Sequence, residues 1–422
     1  MDNHVLHSFF YDWNNVSEEP YLIKKPQYPI EIHDETLRDG LQSPSVNQPK
    51  IDEIIKYLDF VEQLSIDSLT IGFPCVSDKH YQQALAIAGI VADKKIPFNV
   101  GMTARTVISD IDKIISIRDK SNIDIEAQLF LGCSKIRQFV ESWSIDQLVD
   151  WCYQSICYAK KHGLRVIFIT EDTTRTHPDI IEKLYLTAAA LNVERINVCD
   201  TVGYATPCGV YSCIKFIREL LDRHGHSKIK IDFHGHMDRG LALWNSIVAL
   251  SAGANRIQVC GLGVGERTGN TSLEQLLVNL KLMQWRPADL TSLSEYSKYV
   301  AKILDIPIPS NFPVVGKDAY LTATGVHAAA IAKAEYENKG QLSECVYSAI
   351  PANWVGRENE IAIGPMSGRS NVEYWLNKNG CSLDSELISL ILQTAKCSDR
   401  LLSDKEITNI CKDYQAVSQI IC

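Results

Sequence analysis

Residues 29–64 read PIEIHDETLRDGLQSPSVNQPKIDEIIKYLDFVEQL. An apolar run of strand composition comes first, then a charged turn. A stretch follows in which apolar residues recur at i, i+3, i+4 and i+7, the period of a half-buried helix. The segment reads as one strand, one turn and one amphipathic helix. The unit recurs along the chain. Strand-like runs follow as SLTIGFP from Ser68, PFNVGM from Pro97, IEAQLFLG from Ile125, RVIFIT from Arg165, RINVCD from Arg195, IKIDFHGH from Ile229 and RIQVCGLG from Arg256. Helical stretches separate them, at about 30 residues per unit. Eight such units fit a closed (β/α)8 TIM barrel. An open doubly wound sheet is the rival. It would carry an early glycine-rich turn after its first strand, and none is present.

After about Gln284 the pattern changes. LTSLSEYSKYVAKIL and TATGVHAAAIAKAEYE read as helices joined by the Pro-rich DIPIPSNFPVVG. NWVGRENEIAIGPMSGRSNVEYWLNKNG follows, and a last helical region runs from Asp384 to Ile420. The expected organisation is an N-terminal arm over 1–29, a catalytic barrel over 30–285 and a mostly helical C-terminal region over 286–422. The aromatic-rich arm is expected to pack on the body or on a neighbouring subunit.

The 422 residues are 45% hydrophobic and 22% charged, enough to bury a large core without disulfide or metal staples. A net charge of −9 argues against a general nucleic-acid binder, which needs a basic face to displace counterions. The 13 Cys are odd in number and show no CxxC spacing, which reads as reduced thiols in a cytoplasmic protein. The head MDNHVLHSFFYDWNNVSEEP lacks a basic start, a long apolar run and a small-residue cleavage site. No stretch reaches the ~18–20 apolar residues of a membrane span. Small-molecule substrates are therefore expected, with no nucleic-acid or membrane partner.

In a (β/α)8 barrel, chemistry sits at the C-terminal ends of the strands. The first strand ends in HDETLRDGLQSP, which puts Arg38, Asp39 and Gln42 in one turn. The seventh ends in IDFHGHMDRG, with His234 and His236 two apart on a strand and so on one face. Two imidazoles with a carboxylate from another strand suit a divalent ion with open positions. His224 and His226 lie in RHGHSK, a turn after a helix, and read as solvated. The eighth strand runs into CGLGVGERTGNTSLEQ, where Gly261, Gly263 and Gly265 allow close backbone approach. Asn270 there is either a helix cap or a metal-site oxygen. Strands five and six end in TED and CDTVGYATP, adding Glu171 and Thr201 at the same end.

Together DETLRDGLQSP, DTVGYATP, HGHMDRG and GERTGN resemble the metal-dependent acyltransferase and lyase (DRE-TIM) superfamily, whose first strand carries Asp-x-Thr-Leu-Arg-Asp-Gly. The resemblance covers the whole barrel. The branch that condenses acetyl-CoA with a 2-oxo acid fits best, the 2-isopropylmalate synthase family being nearest. GKDAYLTATGVHAAAI is similar to that branch's histidine-bearing helix, and VYSAIPANWVGRENEIAIGPMSGRSN to its tyrosine-bearing segment. The resemblance implies a divalent ion (Mg, Mn or Zn) held by Asp39, His234 and His236 with Asn270 nearby. It implies that Arg38 polarises the keto group and that Thr201 holds the substrate carboxylate. Glu171 matches a glutamate near the reacting centre. His327 and Tyr347 match residues that one subunit delivers to the barrel of the other, which implies a homodimer with composite active sites.

The chain departs from the family in two places. Met237 stands where Asn is usual beside the His pair, and Leu41 where many relatives carry Glu. RDGLQ is also the form seen in 3-hydroxy-3-methylglutaryl-CoA lyases, but their glycine-rich, cysteine-bearing loop is not matched by GLGVGERTGN. The expected reaction is a Claisen condensation of acetyl-CoA with 2-oxoisovalerate, giving 2-isopropylmalate on the leucine biosynthetic route. Citramalate- or homocitrate-type synthesis and acyl-CoA lysis are the alternatives. Phe73, Gln128 and Phe130 are expected near the tail of the oxo acid. The region after about Cys381 reads as too short for the regulatory domain of feedback-inhibited synthases, so insensitivity to leucine by that route is expected.

Overall fold

The structure, a computed structural model, describes residues 23–337 and 344–421. The first part of the expected arm, 1–22, lies outside the described residues. Eight parallel strands close into a barrel in chain order, with the first paired to the eighth. They are β1 (Glu31–Asp34), β2 (Ser68–Thr70), β3 (Asn99–Arg105), β4 (Ile125–Gly132), β5 (Arg165–Glu171), β6 (Arg195–Asp200), β7 (Lys230–Gly235) and β8 (Arg256–Val259). The fold class read from the repeating unit is the one observed.

The first crossover shows why these residues make these elements. Helix α1 (Ile51–Gln63) buries Ile54, Tyr57, Leu58 and Val61, a stripe one helical face wide. Glu53 accepts a hydrogen bond from the backbone N–H of Lys50 at 2.8 Å and so fixes the helix start. Between strands and helices lies a layer of fully buried apolar side chains, among them Ile32, Leu69, Phe168, Val198 and Phe233. Each contributes about 1.5–3 kcal/mol by leaving water.

The barrel interior holds a buried polar network. At the N-terminal end Arg256 is fully buried. It donates to Asp232 Oδ2 from Nε at 2.9 Å and from Nη1 to Ser68 Oγ at 3.0 Å and Glu126 Oε2 at 3.2 Å. Arg195 shares Asp232 at 2.9 Å and also pairs with Glu31. A buried charge is tolerated only when paired like this, so this end reads as structural. One layer up, Gln128 is fully buried and accepts from Thr70 at 2.9 Å and Thr103 at 3.1 Å. It is therefore spent inside the barrel and does not line a substrate pocket. Gly101 makes room for it, since a Cβ there would fall 2.3 Å from Gln128 Nε2.

The barrel belongs to a compact unit that runs to Pro307, past the boundary expected at 285. The reason is helix α2 (Leu293–Leu304), whose buried Tyr296 packs its ring, tilted, 5.9 Å from that of Tyr57 and whose Ser297 donates to Glu274 at 3.1 Å. The second unit includes Ile308–Cys422. There Ile363, Val372, Leu376, Leu387, Ile391 and Ile407 form a core shared by helices α3 (Arg369–Lys378), α4 (Ser385–Lys396) and α5 (Asp404–Ile421). Helix α6 (Gly325–Tyr336), earlier in the chain, packs Ala328, Ile331 and Ala332 against Ile361. Among the described residues no helix is long and apolar enough to cross a membrane, and the cysteines are free thiols.

Candidate active site and metal centre

The C-terminal ends of β1 and β7 bring Asp39, His234 and His236 together. All three are buried, and one ligand atom from each lies within 4.8 Å of the others. Asp39 Oδ2 is 3.1 Å from His234 Nε2 and 3.8 Å from His236 Nε2, and the two Nε2 atoms are 3.1 Å apart. The turn after β1 makes this possible. Asp34 Oδ1 accepts from the Thr36 N–H at 2.7 Å, and the Glu35 carbonyl accepts from both Arg38 and Gly40 at 3.0 Å.

The donor set fits a divalent ion. His234 Nδ1 donates to Gln258 Oε1 at 2.9 Å, which leaves the Nε2 lone pair free as a ligand. Burial, then the neighbouring His234, pushes His236 down to about 3, so its imidazole is neutral as a metal ligand must be. Burial pushes the Asp39 carboxyl up, but Arg38 and the His234 contacts outweigh it and hold Asp39 well below the usual range. Asn270 Oδ1 is buried without a hydrogen-bond partner, as an oxygen reserved for a cation would be. Ser272, not Asn270, caps the following helix Leu273–Leu282. Gly265 holds the loop against this cluster: a Cβ there would fall 2.1 Å from Asn270 Nδ2 and 3.0 Å from Asp39 Oδ1. Nitrogen and oxygen donors of this kind suit Mg, Mn or Zn.

Arg38 borders the cluster. Its Nε donates to Glu35 Oε2 at 2.6 Å and its Nη1 to Asp39 Oδ2 at 3.1 Å. Nη2 makes no hydrogen bond among the described residues. Glu35 is fully buried and also accepts from Thr70 at 2.8 Å and contacts His33 Nε2 at 3.0 Å. Burial raises the Glu35 carboxyl, but Arg38 and then His33 win and bring it down to about 2. An ionised Glu35 thus aims the guanidinium.

The ends of β5 and β6 hold Glu171 and Thr201. The Thr201 hydroxyl accepts from the Asp172 N–H at 2.8 Å. Asp200 pins the turn after β6 by accepting from Thr174 at 2.7 Å and from the N–H groups of Tyr204 and Ala205. Gly203, at φ +57, lets that turn approach β7: a Cβ would lie 2.9 Å from His236 O. Met237 offers the His pair no polar side chain, and His236 Nδ1 is buried without a partner. Asp238 instead pairs with Arg267 at 2.8 Å, and Arg267 donates to Thr201 O at 2.6 Å, so three strand-end loops are tied together. Beside them Cys199, Ile169 and Ile167 pack with Phe130, which meets Phe73 edge-on at 5.7 Å. Arg38 also borders a cavity of about 140 Å³ with Leu37, Leu41, Ile71, Phe73 and Val76.

His327 and Tyr347 come together in the Ile308–Cys422 unit. Their rings stack at 4.0 Å and 26°, on a cavity of about 350 Å³ that Asp318, Glu344 and Ser348 also line. Gly325 begins the His327 helix where a Cβ would meet Gly368 N at 2.7 Å. Glu35, Gln258 and Arg267 were among the residues here not singled out from sequence. Gln258 was findable, since it sits opposite His234 in the β7–β8 register.

Residues 29–300 match the HMGL-like family model. A probable 2-isopropylmalate synthase of Archaeoglobus fulgidus is 31% identical over 93% of this chain and 73% of its own length. A homocitrate synthase of Methanopyrus kandleri is 30% identical over 90% of this chain and 91% of its own length. Among solved structures, an HMG-CoA lyase of Bacillus subtilis superposes with a TM-score of 0.56 at 20% identity, covering 68% of this chain and 97% of that one. At that identity the likeness speaks to the barrel fold alone.

Proposed function

Since the chain belongs to the HMGL-like family, as a 2-isopropylmalate synthase-like member of the DRE-TIM superfamily, we propose that it condenses acetyl-CoA with 2-oxoisovalerate and hydrolyses the thioester to give 2-isopropylmalate. The observation that carries this reading is the buried Asp39–His234–His236 cluster with the unpartnered Asn270 oxygen, next to Arg38. A divalent ion bound there supplies Lewis acidity toward the 2-oxo acid. The chain's own groups do the rest. Arg38, aimed by Glu35, donates to the keto oxygen as charge grows on it. Thr201 binds the substrate carboxylate. A base takes a proton from the acetyl methyl, and the methyl carbon bonds to the keto carbon. Water then cleaves the thioester and CoA leaves. Glu171, His327 and Tyr347 are the acid–base set, with His327 and Tyr347 supplied by the partner in a homodimer. Enclosure of the mouth by that partner keeps water from the reactive carbanion.

Phe73, Phe130, Ile169 and Cys199 are apolar, as are Leu41 and Val76 in the cavity beside Arg38, which Gln42, Gln48, His80 and Gln83 also line. The apolar set favours a branched aliphatic tail over a second carboxylate. One specific observation keeps homocitrate-type synthesis as a second reading: homocitrate synthases stand at the same 30% identity as 2-isopropylmalate synthases. Thiol release from acetyl-CoA with 2-oxoisovalerate, pyruvate and 2-oxoglutarate decides between them. The expected outcome is the highest kcat/KM for 2-oxoisovalerate. The margin over pyruvate should be about 1–3 kcal/mol per methylene lost. A preference for 2-oxoglutarate would defeat the substrate assignment and leave the condensation intact.

A further inference from the structure

Gly132 ends β4 directly opposite Glu171 in the β4–β5 register. A seven-residue helix, Lys135–Glu141, follows, and Arg137 on it turns back across Gly132. A Cβ on Gly132 would lie 3.1 Å from Arg137 Nε, so the glycine leaves the space the side chain uses. The guanidinium stacks over Trp143 at 5.4 Å, and Trp143 is braced edge-on by Trp151 at 5.3 Å. Arg137 Nη1 is 3.1 Å from Glu141 Oε1, and its Nε is 3.3 Å from Glu171 Oε1. That Nε–H is buried yet makes no hydrogen bond, so the contact with Glu171 is ionic and not an aligned bond. The Glu171 carboxylate accepts no hydrogen bond among the described residues and keeps its lone pairs.

We propose that Arg137 is a positioning residue for Glu171: clamped between Gly132 and Trp143, it holds the carboxylate at the β5 end for proton transfer. The proposal rests on the reading of Glu171 as part of the acid–base set. Every charged or titratable group around Glu171 can be named. Arg137 and Glu141 come from the helix after β4, and Cys133 from the β4 end. Asp172 follows on β5, itself tied to Arg175 at 2.7 Å, and Cys199 lies on β6. Burial raises the Glu171 carboxyl, Arg137 opposes it, and Asp172 and Glu141 add to the rise. Arg137 is the counter-charge in that set, and its removal sends Glu171 further up. Arg137 also faces two carboxylates with one positive charge. It therefore offers little to a second carboxylate on the substrate, in keeping with an aliphatic tail.

The test is the pH profile of kcat/KM for thiol release in wild type, Arg137→Gln, Arg137→Lys and Glu171→Gln, each checked for an unchanged melting transition. In Arg137→Gln the acid limb should move up by about one pH unit, a loss of up to about tenfold on the acid side of the limb that fades as pH rises. Arg137→Lys, which keeps the charge, should return most of that shift. An equal loss at every pH in Arg137→Gln would overturn the proposal, because a merely structural role lowers activity without moving the limb. So would an altered ratio of 2-oxoglutarate to 2-oxoisovalerate turnover, which would make Arg137 a reader of substrate. The Glu171→Gln arm separates the two claims. Near-normal activity there defeats Glu171 as a reacting group, whereas an inactive Glu171→Gln with an unshifted Arg137→Gln profile defeats only the pairing.

Discussion

Glu35 is the residue on which Arg38 depends. It is fully buried and ionised, and the guanidinium and the carboxylate are each the other's main partner. Removing one partner of such a pair leaves a buried charge behind, which costs about 3–5 kcal/mol. Glu35→Ala should therefore lower stability by that order and reduce kcat sharply; chemical denaturation and steady-state kinetics read the two separately. The pair also sets a pH dependence. The folded value of Glu35, about 2, lies below its usual 4.5. Its contribution is fully present above the unfolded value and is lost as pH falls from about 4.5 toward 2. The stability difference between wild type and Glu35→Gln should be flat above pH 5 and shrink in acid. A difference that grows on acidification would contradict the assignment. Gln258 plays the matching part for His234, holding Nδ1–H at 2.9 Å. Gln258→Leu should weaken divalent-ion binding about 10- to 100-fold by calorimetry, with the barrel intact.

At the scale of elements, the loop after β8 is the feature most exposed to a single methyl group. Gly265 sits at φ +152 with Asn270 and Asp39 against it. Gly265→Ala should abolish ion binding while leaving far-UV circular dichroism unchanged, since the strain falls on the loop and not on a strand. Most strands were legible as apolar runs of strand composition recurring about every 30 residues, with side chains alternating between the two faces of each strand. The His pair was legible for the same reason, two residues apart on one strand. Glu35 was not, because a carboxylate in DETLRD reads as one more solvated charge until the turn buries it. Arg137 was hidden in KIRQF, where nothing marks it; its meaning comes from the Gly132–Glu171 register. Helix α3 was also missed, since in GRSNVEYWLNKNG the buried apolar face is only Val372, Trp375 and Leu376. The barrel unit runs beyond 285 because Tyr296 and Ser297 sit on a helix that looked, by position, like part of the appendage.

In the molecule as a whole, the residues proposed to react are divided. Asp39, His234, His236, Arg38, Glu171 and Thr201 lie in the barrel unit, while His327 and Tyr347 lie in the unit that includes Ile308–Cys422. Composite sites in a homodimer follow from the proposed function, and they predict complementation. Mixed Arg38→Ala and His327→Ala subunits, each inactive alone, should regain activity once subunits exchange, because one heterodimer site carries neither change. Demonstrated exchange without recovery would rule out the crossed arrangement. In the proposed function a divalent ion at Asp39, His234 and His236 supports condensation of acetyl-CoA with a 2-oxo acid. The most direct measurement is thiol release from acetyl-CoA plus 2-oxoisovalerate by protein stripped of metal, before and after Mg, Mn or Zn is restored. No oxo-acid-dependent release is expected from the stripped protein, with recovery on adding the ion. Full turnover by protein shown by metal analysis to be empty would contradict that function.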